Sequence, residues 1–196
     1  KSTEAMGALG TCSAPTDVES HWRMRQERSG DPVMEDKTKD TVTPSGAWKF
    51  DGATTDAFED MLERSIPQYE VMREAVTVLG SPFVMSGSVV IDLGCSRGTS
   101  LAPFVERFGD RASFIGVEMS EPMLEAARAR FASQGNVAIE ALDLRVAYPR
   151  AVRNCLTLSI LTLQFIPIEH RQRVLRDAYA SLDYGGALIL VGKGLG

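Results

Sequence analysis

Cysteine, histidine and tryptophan are scarce in this chain, and the first two scarcities each remove a class of chemistry. The three cysteines, Cys12, Cys95 and Cys155, are odd in number, far apart and without a Cys-x-x-Cys pair. Neither a disulfide framework nor a thiolate zinc site is indicated, and a reducing compartment is expected. His21 and His170 each lack a His or Cys at ligand spacing, so a metal site is not expected. Long apolar runs are missing too. Segments such as Ala187 to Val191 fall far below the ~20 residues of a bilayer span, so no membrane helix is expected. Nor is there a basic excess. With 21 Lys and Arg against 26 Asp and Glu the net charge is −5, which gives no long-range attraction to nucleic acid or an anionic membrane. The start, Lys1-Ser2-Thr3-Glu4, puts an acid where a signal peptide has its basic and apolar regions, so a cytoplasmic location is expected.

What remains is ordinary globular composition: 196 residues, 44% hydrophobic and 24% charged, which suits one domain with one core. Residues 1 to 47 mix Ser, Thr, Gly and Pro with charge runs such as Glu35-Asp36-Lys37-Thr38-Lys39-Asp40, and are expected to form a flexible arm. Its one stickier spot is His21-Trp22-Arg23-Met24-Arg25. Order is expected to begin near Trp48-Lys49-Phe50-Asp51, giving a domain over 48–196 with amino-terminal helices at 54–79. Thr55 can cap the first, with Phe58, Met61, Leu62 and Ser65 on one face and Pro67 as its stop. In the second, Val71, Met72, Ala75, Val76 and Leu79 recur at helical spacing before Gly80-Ser81-Pro82.

From residue 88 short apolar runs alternate with amphipathic helices. Strands are predicted at 88–93, 114–118, 137–142, 155–160 and 187–191, with helices at 101–108, 121–131 and 168–182. Ser120 is placed to cap the second of these helices and Pro122 lies in its first turn. The last helix is predicted to bury Val174, Leu175, Ala178, Tyr179 and Leu182. Strands this apolar are covered on both faces, which with right-handed crossovers implies an α/β fold with a doubly wound, mostly parallel sheet. The chain stops just after an apolar fifth strand that would make a poor exposed edge. Further carboxyl-terminal strands are therefore expected to be missing, or a second chain to cover that edge.

In such a sheet ligands sit above the carboxyl ends of the strands where strand order reverses. There the sequence reads Val89-Val90-Ile91-Asp92-Leu93-Gly94-Cys95-Ser96-Arg97-Gly98-Thr99, a strand entering a turn with glycines at Gly94 and Gly98. Glycines allow close backbone approach to a ligand, and a helix start after them suits a carboxylate. The Gly-x-x-x-Gly spacing differs from the dinucleotide fingerprint, and no Gly-Lys-Ser/Thr follows. Glu118 closes the second strand, the position from which a carboxylate accepts both ribose hydroxyls. Asp143 closes the third, where an acid can accept from an adenine amino group, with Leu144 packing nearby. Ser159, Thr162 and Gln164 follow from the fourth and are candidates for holding a substrate.

The run from Val89 to Gly98, with Glu118 and Asp143, resembles the motifs of the class I S-adenosylmethionine-dependent methyltransferases over roughly residues 85 to 192. Phe50-Asp51, Met61-Leu62-Glu63-Arg64-Ser65-Ile66-Pro67-Gln68-Tyr69, Asp92-Leu93-Gly94-Cys95-Ser96, Leu163-Gln164-Phe165 and Gly185-Gly186-Ala187-Leu188 are similar to the carboxy-S-adenosyl-L-methionine synthases, over about residues 48 to 193. The resemblance implies that Tyr69, Gly94, Cys95, Ser96, Glu118, Met119, Asp143 and Leu144 line the pocket of S-adenosyl-L-methionine. Gly98 joins them from the turn, and Ser159 and Ile160 from the end of the fourth strand, where the synthases carry Asn. Their second-strand acid is Asp where this chain has Glu118, and their arginine for the carboxylated cofactor falls beyond residue 196.

These readings imply a methyl transfer to an unidentified small-molecule acceptor, which needs alignment more than a catalytic base. Tyr69 is placed to cover the sulfonium with its ring face. The alternative is a synthase that carboxylates the cofactor using prephenate, in the route to modified tRNA wobble uridine. That reading requires cationic groups for carboxylates, and Arg64 and Arg97 are its candidates. A second alternative is a binding module without chemistry. A homodimer is expected from the resemblance and the uncovered fifth strand.

Overall fold

The computed structural model describes residues 61–149 and 153–192. The arm at 1–47, the onset of order near residue 48, and Thr55 and Phe58 lie outside the described residues. Residues 61–65 are helical and Pro67 lies in the turn that follows. Helix α1 (Tyr69–Gly80) comes next, entered through Gln68 in a left-handed conformation with φ of 57°.

Among the described residues the sheet has five parallel strands: β1 (Val89–Leu93), β2 (Ser113–Glu118), β3 (Val137–Ala141), β4 (Asn154–Ile160) and β5 (Leu182–Val191). Their order is β3-β2-β1-β4-β5, with α2 (Ala102–Phe108), α3 (Glu121–Arg130) and α4 (Ile168–Ser181) on the connections. The chain therefore runs outward from β1 to β3 and then returns to start again beside β1. In register, Asp92 pairs with Gly116 of β2 on one side and Leu158 of β4 on the other.

Period-two alternation assigns successive residues to two cores. Val90, Leu156 and Leu158 pack with Val76 of α1 and Phe104 and Val105 of α2. Ile91, Leu93 and Val117 pack with Val174 and Ala178 of α4, and with Leu163 and Ile166. None of the described helices is long and apolar enough to cross a membrane.

Three packing expectations need correction. The apolar positions of α1 divide into two rows of spacing four. Val76 and Gly80 face inward, with Met72 packed against the first core, whereas Val71 and Leu79 are exposed. Gly80 decides which row faces in, since a Cβ there would lie 2.8 Å from Phe104 Cζ and 2.9 Å from Leu156 Cδ2. Tyr179 of α4 is exposed rather than buried, and Leu182 already belongs to β5, which starts five residues before the predicted strand. The β4–β5 pairing jumps from Asn154↔Leu182 to Leu156↔Ala187, and the intervening bulge holds Gly185 at a φ of 80°. Finally, coverage on both faces holds for β1, β2 and β4, the strands with a neighbour on each side. β3 exposes Ala138, Glu140 and Ala141, and β5 exposes Leu190, because each has a partner strand on one side alone.

Candidate functional site

The reversal of strand order falls between β1 and β4, so the crevice predicted for a ligand is bounded by the turn after β1 and the segment after β4. Unusual backbone is concentrated there. Gly94, Ser96 and Gly98 have φ of 71°, 51° and 76°, Leu161 just past β4 has 59°, and Gln68 before Tyr69 has 57°. Non-glycine residues in this region cost ~1–3 kcal/mol each and persist where surrounding contacts enforce them.

The enforcing contacts are specific. Cys95 N–H donates to Val117 O at 2.9 Å and Gly98 N–H to Cys95 O at 2.8 Å. Ser96 N–H donates to Glu118 Oε2 at 3.0 Å, which holds the turn of β1 against the end of β2. Glu118 Oε1 accepts from Met119 N–H at 2.8 Å and Ser120 N–H at 3.0 Å. Ser120 occupies the cap position of α3, but the carboxylate of Glu118, not its hydroxyl, takes the backbone donors there. Glu118 was expected to accept both ribose hydroxyls. A carboxylate offers about four acceptor sites, and three are occupied by backbone, so one is left without rearrangement.

The two glycines serve packing as well as conformation. A Cβ on Gly94 would meet Thr162 Cγ2 at 2.4 Å, and one on Gly98 would meet Phe131 Cε2 at 2.4 Å. Gly94 thus lets the β1 turn touch the segment after β4, where Thr162 Oγ1 also donates to Gly94 O at 3.4 Å. The Cys95 side chain is buried against Gly116, with burial pushing its thiol pKa up, so at the crevice it can offer backbone only. Ser96 Oγ lies 3.4 Å from Met123 Sδ.

Buried polar atoms mark the same place. Among the described residues, Asp92 Oδ2 and Ser159 Oγ have no hydrogen-bond partner, and both side chains are 1% exposed. Asp92 shares the α1 face with Val90, while Ser159 alternates to the α4 face. Burial first, and then the nearby Glu118 charge, raise the Asp92 pKa to about 7. A buried orphan acceptor is costly unless something outside the chain completes it.

Other predicted positions fare unevenly. Tyr69 is buried at the start of α1, Ile160 is half-buried, and Met119 is exposed. Leu144 is buried in the second core, and its carbonyl accepts from Arg173. Asp143 does not stand ready for an adenine amino group. Its two oxygens accept from Arg145 Nε and Nη2 at 2.7 to 3.0 Å, and Arg145 N–H donates to Oδ1 at 2.8 Å. Those bonds hold the Asp143 pKa below its ordinary value. Arg97, read above as one of two cations for a carboxylate, is half-buried with its Nε withdrawn from solvent, and Arg64 is exposed. Sequence reasoning overlooked Arg73, whose guanidinium lies 5.7 Å from the Tyr69 ring and donates to Thr99 O at 2.9 Å. The i, i+4 spacing from Tyr69 was the available signal.

Comparison with known proteins identifies the family and the fold. Residues 90–186 match the family model described as a methyltransferase domain. The carboxy-S-adenosyl-L-methionine synthase of Mannheimia succiniciproducens is 36% identical over 166 residues, which are 80% of this chain and 68% of that protein. That of Glaesserella parasuis is 36% identical over 152 residues, 76% of this chain and 62% of the relative. The chain belongs to the class I S-adenosylmethionine-dependent methyltransferase superfamily and, within it, to the family that contains the carboxy-S-adenosyl-L-methionine synthases. It spans somewhat under two thirds of the length of such relatives as the Glaesserella protein. Among solved structures, CalS10 of Micromonospora echinaspora, an amino pentose methyltransferase with bound S-adenosylmethionine, superposes with a TM-score of 0.55. It is 21% identical and matches over 67% of this chain and 54% of its own, which shows the shared fold.

Proposed function

We propose that the chain binds S-adenosyl-L-methionine at the carboxyl ends of β1, β2 and β4 and belongs to a transferase acting on a small-molecule acceptor. The observation that carries this reading is Glu118, whose carboxylate joins the strained glycine turn to the start of α3 and keeps one acceptor site in hand. The residues present fit that cofactor. Glu118 is placed to take a ribose hydroxyl, the orphaned Asp92 and Ser159 oxygens lie at the ends of β1 and β4, and Tyr69 supplies an aromatic face. Asp143 can reach an adenine amino group once Arg145 swings away, and an exposed ion pair is worth only ~0–1 kcal/mol. When bound, S-adenosylmethionine supplies an electrophilic carbon on a sulfonium. The chain's own part is to orient the acceptor, through Thr162 and Gln164 after β4, and to exclude water.

Calorimetry with S-adenosylhomocysteine tests the site. Binding is expected, and Glu118→Gln, which keeps shape but loses charge, should weaken it about 10-fold or more. Unchanged affinity removes Glu118 from the site. The relatives' names favour a second reading, carboxylation of the cofactor; prephenate as the source of the carboxyl group and a place in tRNA modification are what the family resemblance adds to that reading. Mass spectrometry after incubation with S-adenosylmethionine and prephenate decides between the two, since only the synthase yields a cofactor heavier by carbon dioxide. A cytoplasmic homodimer remains part of this proposal, through the half-covered β5 edge.

A further inference from the structure

We propose that Arg73 is the carboxylate receptor of this site, a positioning residue that grips an acid group carried by the cofactor or by the acceptor. The proposal rests on the cofactor reading above and names the chemistry that α1 contributes to it. Arg73 sits one helical turn after Tyr69, with its guanidinium carbon 5.7 Å from that ring. Nη2 donates to the carbonyl of Thr99, at the end of the glycine turn. Ring and carbonyl together fix the plane of the guanidinium while using one of its five donors.

The rest of the fork is not used. Nε is buried without a hydrogen-bond partner, and no carboxylate among the described residues pairs with Arg73. A buried N–H left without a partner is destabilising by itself, and a planar fork of this kind matches a carboxylate through two parallel hydrogen bonds. Its neighbours come from the elements that bound the β1–β4 crevice. Arg73 lines a closed seam with Thr77, Ser100, Pro103 and Ile160, between the segment after the glycine turn and the last residue of β4, too tight here for a water molecule, so an entering acid group must part it. The Thr77 hydroxyl is occupied by the Arg73 carbonyl at 3.1 Å, so the guanidinium is the charged donor of this seam.

Two ligands can present the acid, and one experiment separates them. Calorimetry is run on the full chain and on Arg73→Gln and Arg73→Lys, with S-adenosylhomocysteine, with 5′-methylthioadenosine, which lacks the amino-acid carboxylate, and with malonate added to the S-adenosylhomocysteine complex. If Arg73 holds the cofactor's carboxylate, Arg73→Gln weakens S-adenosylhomocysteine about 10- to 100-fold and leaves methylthioadenosine unchanged. If it holds the acceptor's, both nucleosides bind as before and the variant loses malonate. Arg73→Lys, which keeps the charge but not the fork, should recover part of whichever affinity is lost, a pattern that a merely structural role does not produce. A folded Arg73→Gln protein that binds all three probes like the parent overturns the proposal. Failure of the parent to bind either nucleoside overturns the cofactor reading instead, and malonate then judges Arg73 alone.

Discussion

The two ends of β4 treat buried polar groups in opposite ways. At its start, Asn154 Nδ2 donates to Ser181 O and Oγ at 3.1 and 2.9 Å, and its Oδ1 accepts from Thr157 Oγ1 at 2.8 Å. Ser181 Oγ in turn lies 3.2 Å from the Tyr148 hydroxyl and donates to Ala178 O at 2.8 Å. This chain of bonds ties α4 to the sheet. At the other end Ser159 Oγ has no partner among the described residues, the next strand ends in the orphaned Asp92 Oδ2, and Leu161 is held at positive φ. Asn154, Thr157 and Ser159 are equally buried, so burial alone does not separate the ends. Completion does: the polar groups at the start of β4 are satisfied from within, and those beside the proposed site are not.

Gly94→Ala should break the contrast most severely. It adds an atom 2.4 Å from Thr162 at a φ of 71°, combining ~1–3 kcal/mol of backbone strain with ~1–3 kcal/mol of overpacking. Denaturant melts are expected to show a loss of about 4 kcal/mol, with S-adenosylhomocysteine binding lost as well; a variant that keeps both would show that the turn yields easily.

Asp92→Asn sharpens the comparison through pH. In the fold Asp92 keeps its proton up to about 7, against an ordinary value of 3.8 when unfolded. The folded chain thus binds the proton more tightly. Its contribution to stability is full below about pH 4 and is lost as pH rises to about 7, a slope summing to ~4 kcal/mol. The Asn variant should flatten that slope in melts from pH 4 to 8, and an unchanged slope assigns the titration elsewhere.

The smallest effect is expected from the satisfied end. Asn154→Ala strands the Thr157 hydroxyl and part of Ser181, costing ~1–3 kcal/mol. Affinity for S-adenosylhomocysteine measured on the folded fraction should stay as it was. A parallel drop in affinity would mean that the two ends are coupled through β4.

Much of the fold was legible in the residues because its signals are local. Gly94 and Gly98 at the end of an apolar run, Pro122 in a first helical turn and the alternation of short apolar runs with amphipathic stretches are each confined to a few positions. What escaped depended on neighbours distant in sequence or on competition nearby. Tyr179 falls at helical spacing from Leu175, yet Val174 and Ala178 form the row of α4 that packs into the core, and Tyr179 beside them is exposed. Asp143 was read as an open acceptor, but Arg145 two residues on already bonds both of its oxygens. Glu118 was placed correctly at the end of β2, while its three backbone donors become visible only once the turn of β1 is folded against it.

Gly80 has a consequence at a distance. It is the point at which α1 rests on Phe104 and Leu156 with no side chain between, and Tyr69 begins the same helix about 16 Å away along its axis. The contact works as a fulcrum. A methyl group placed there would tilt the rod and swing Tyr69 and Arg73 sideways while touching neither, so the geometry at the crevice is set partly by an amino acid that contributes no atoms to it.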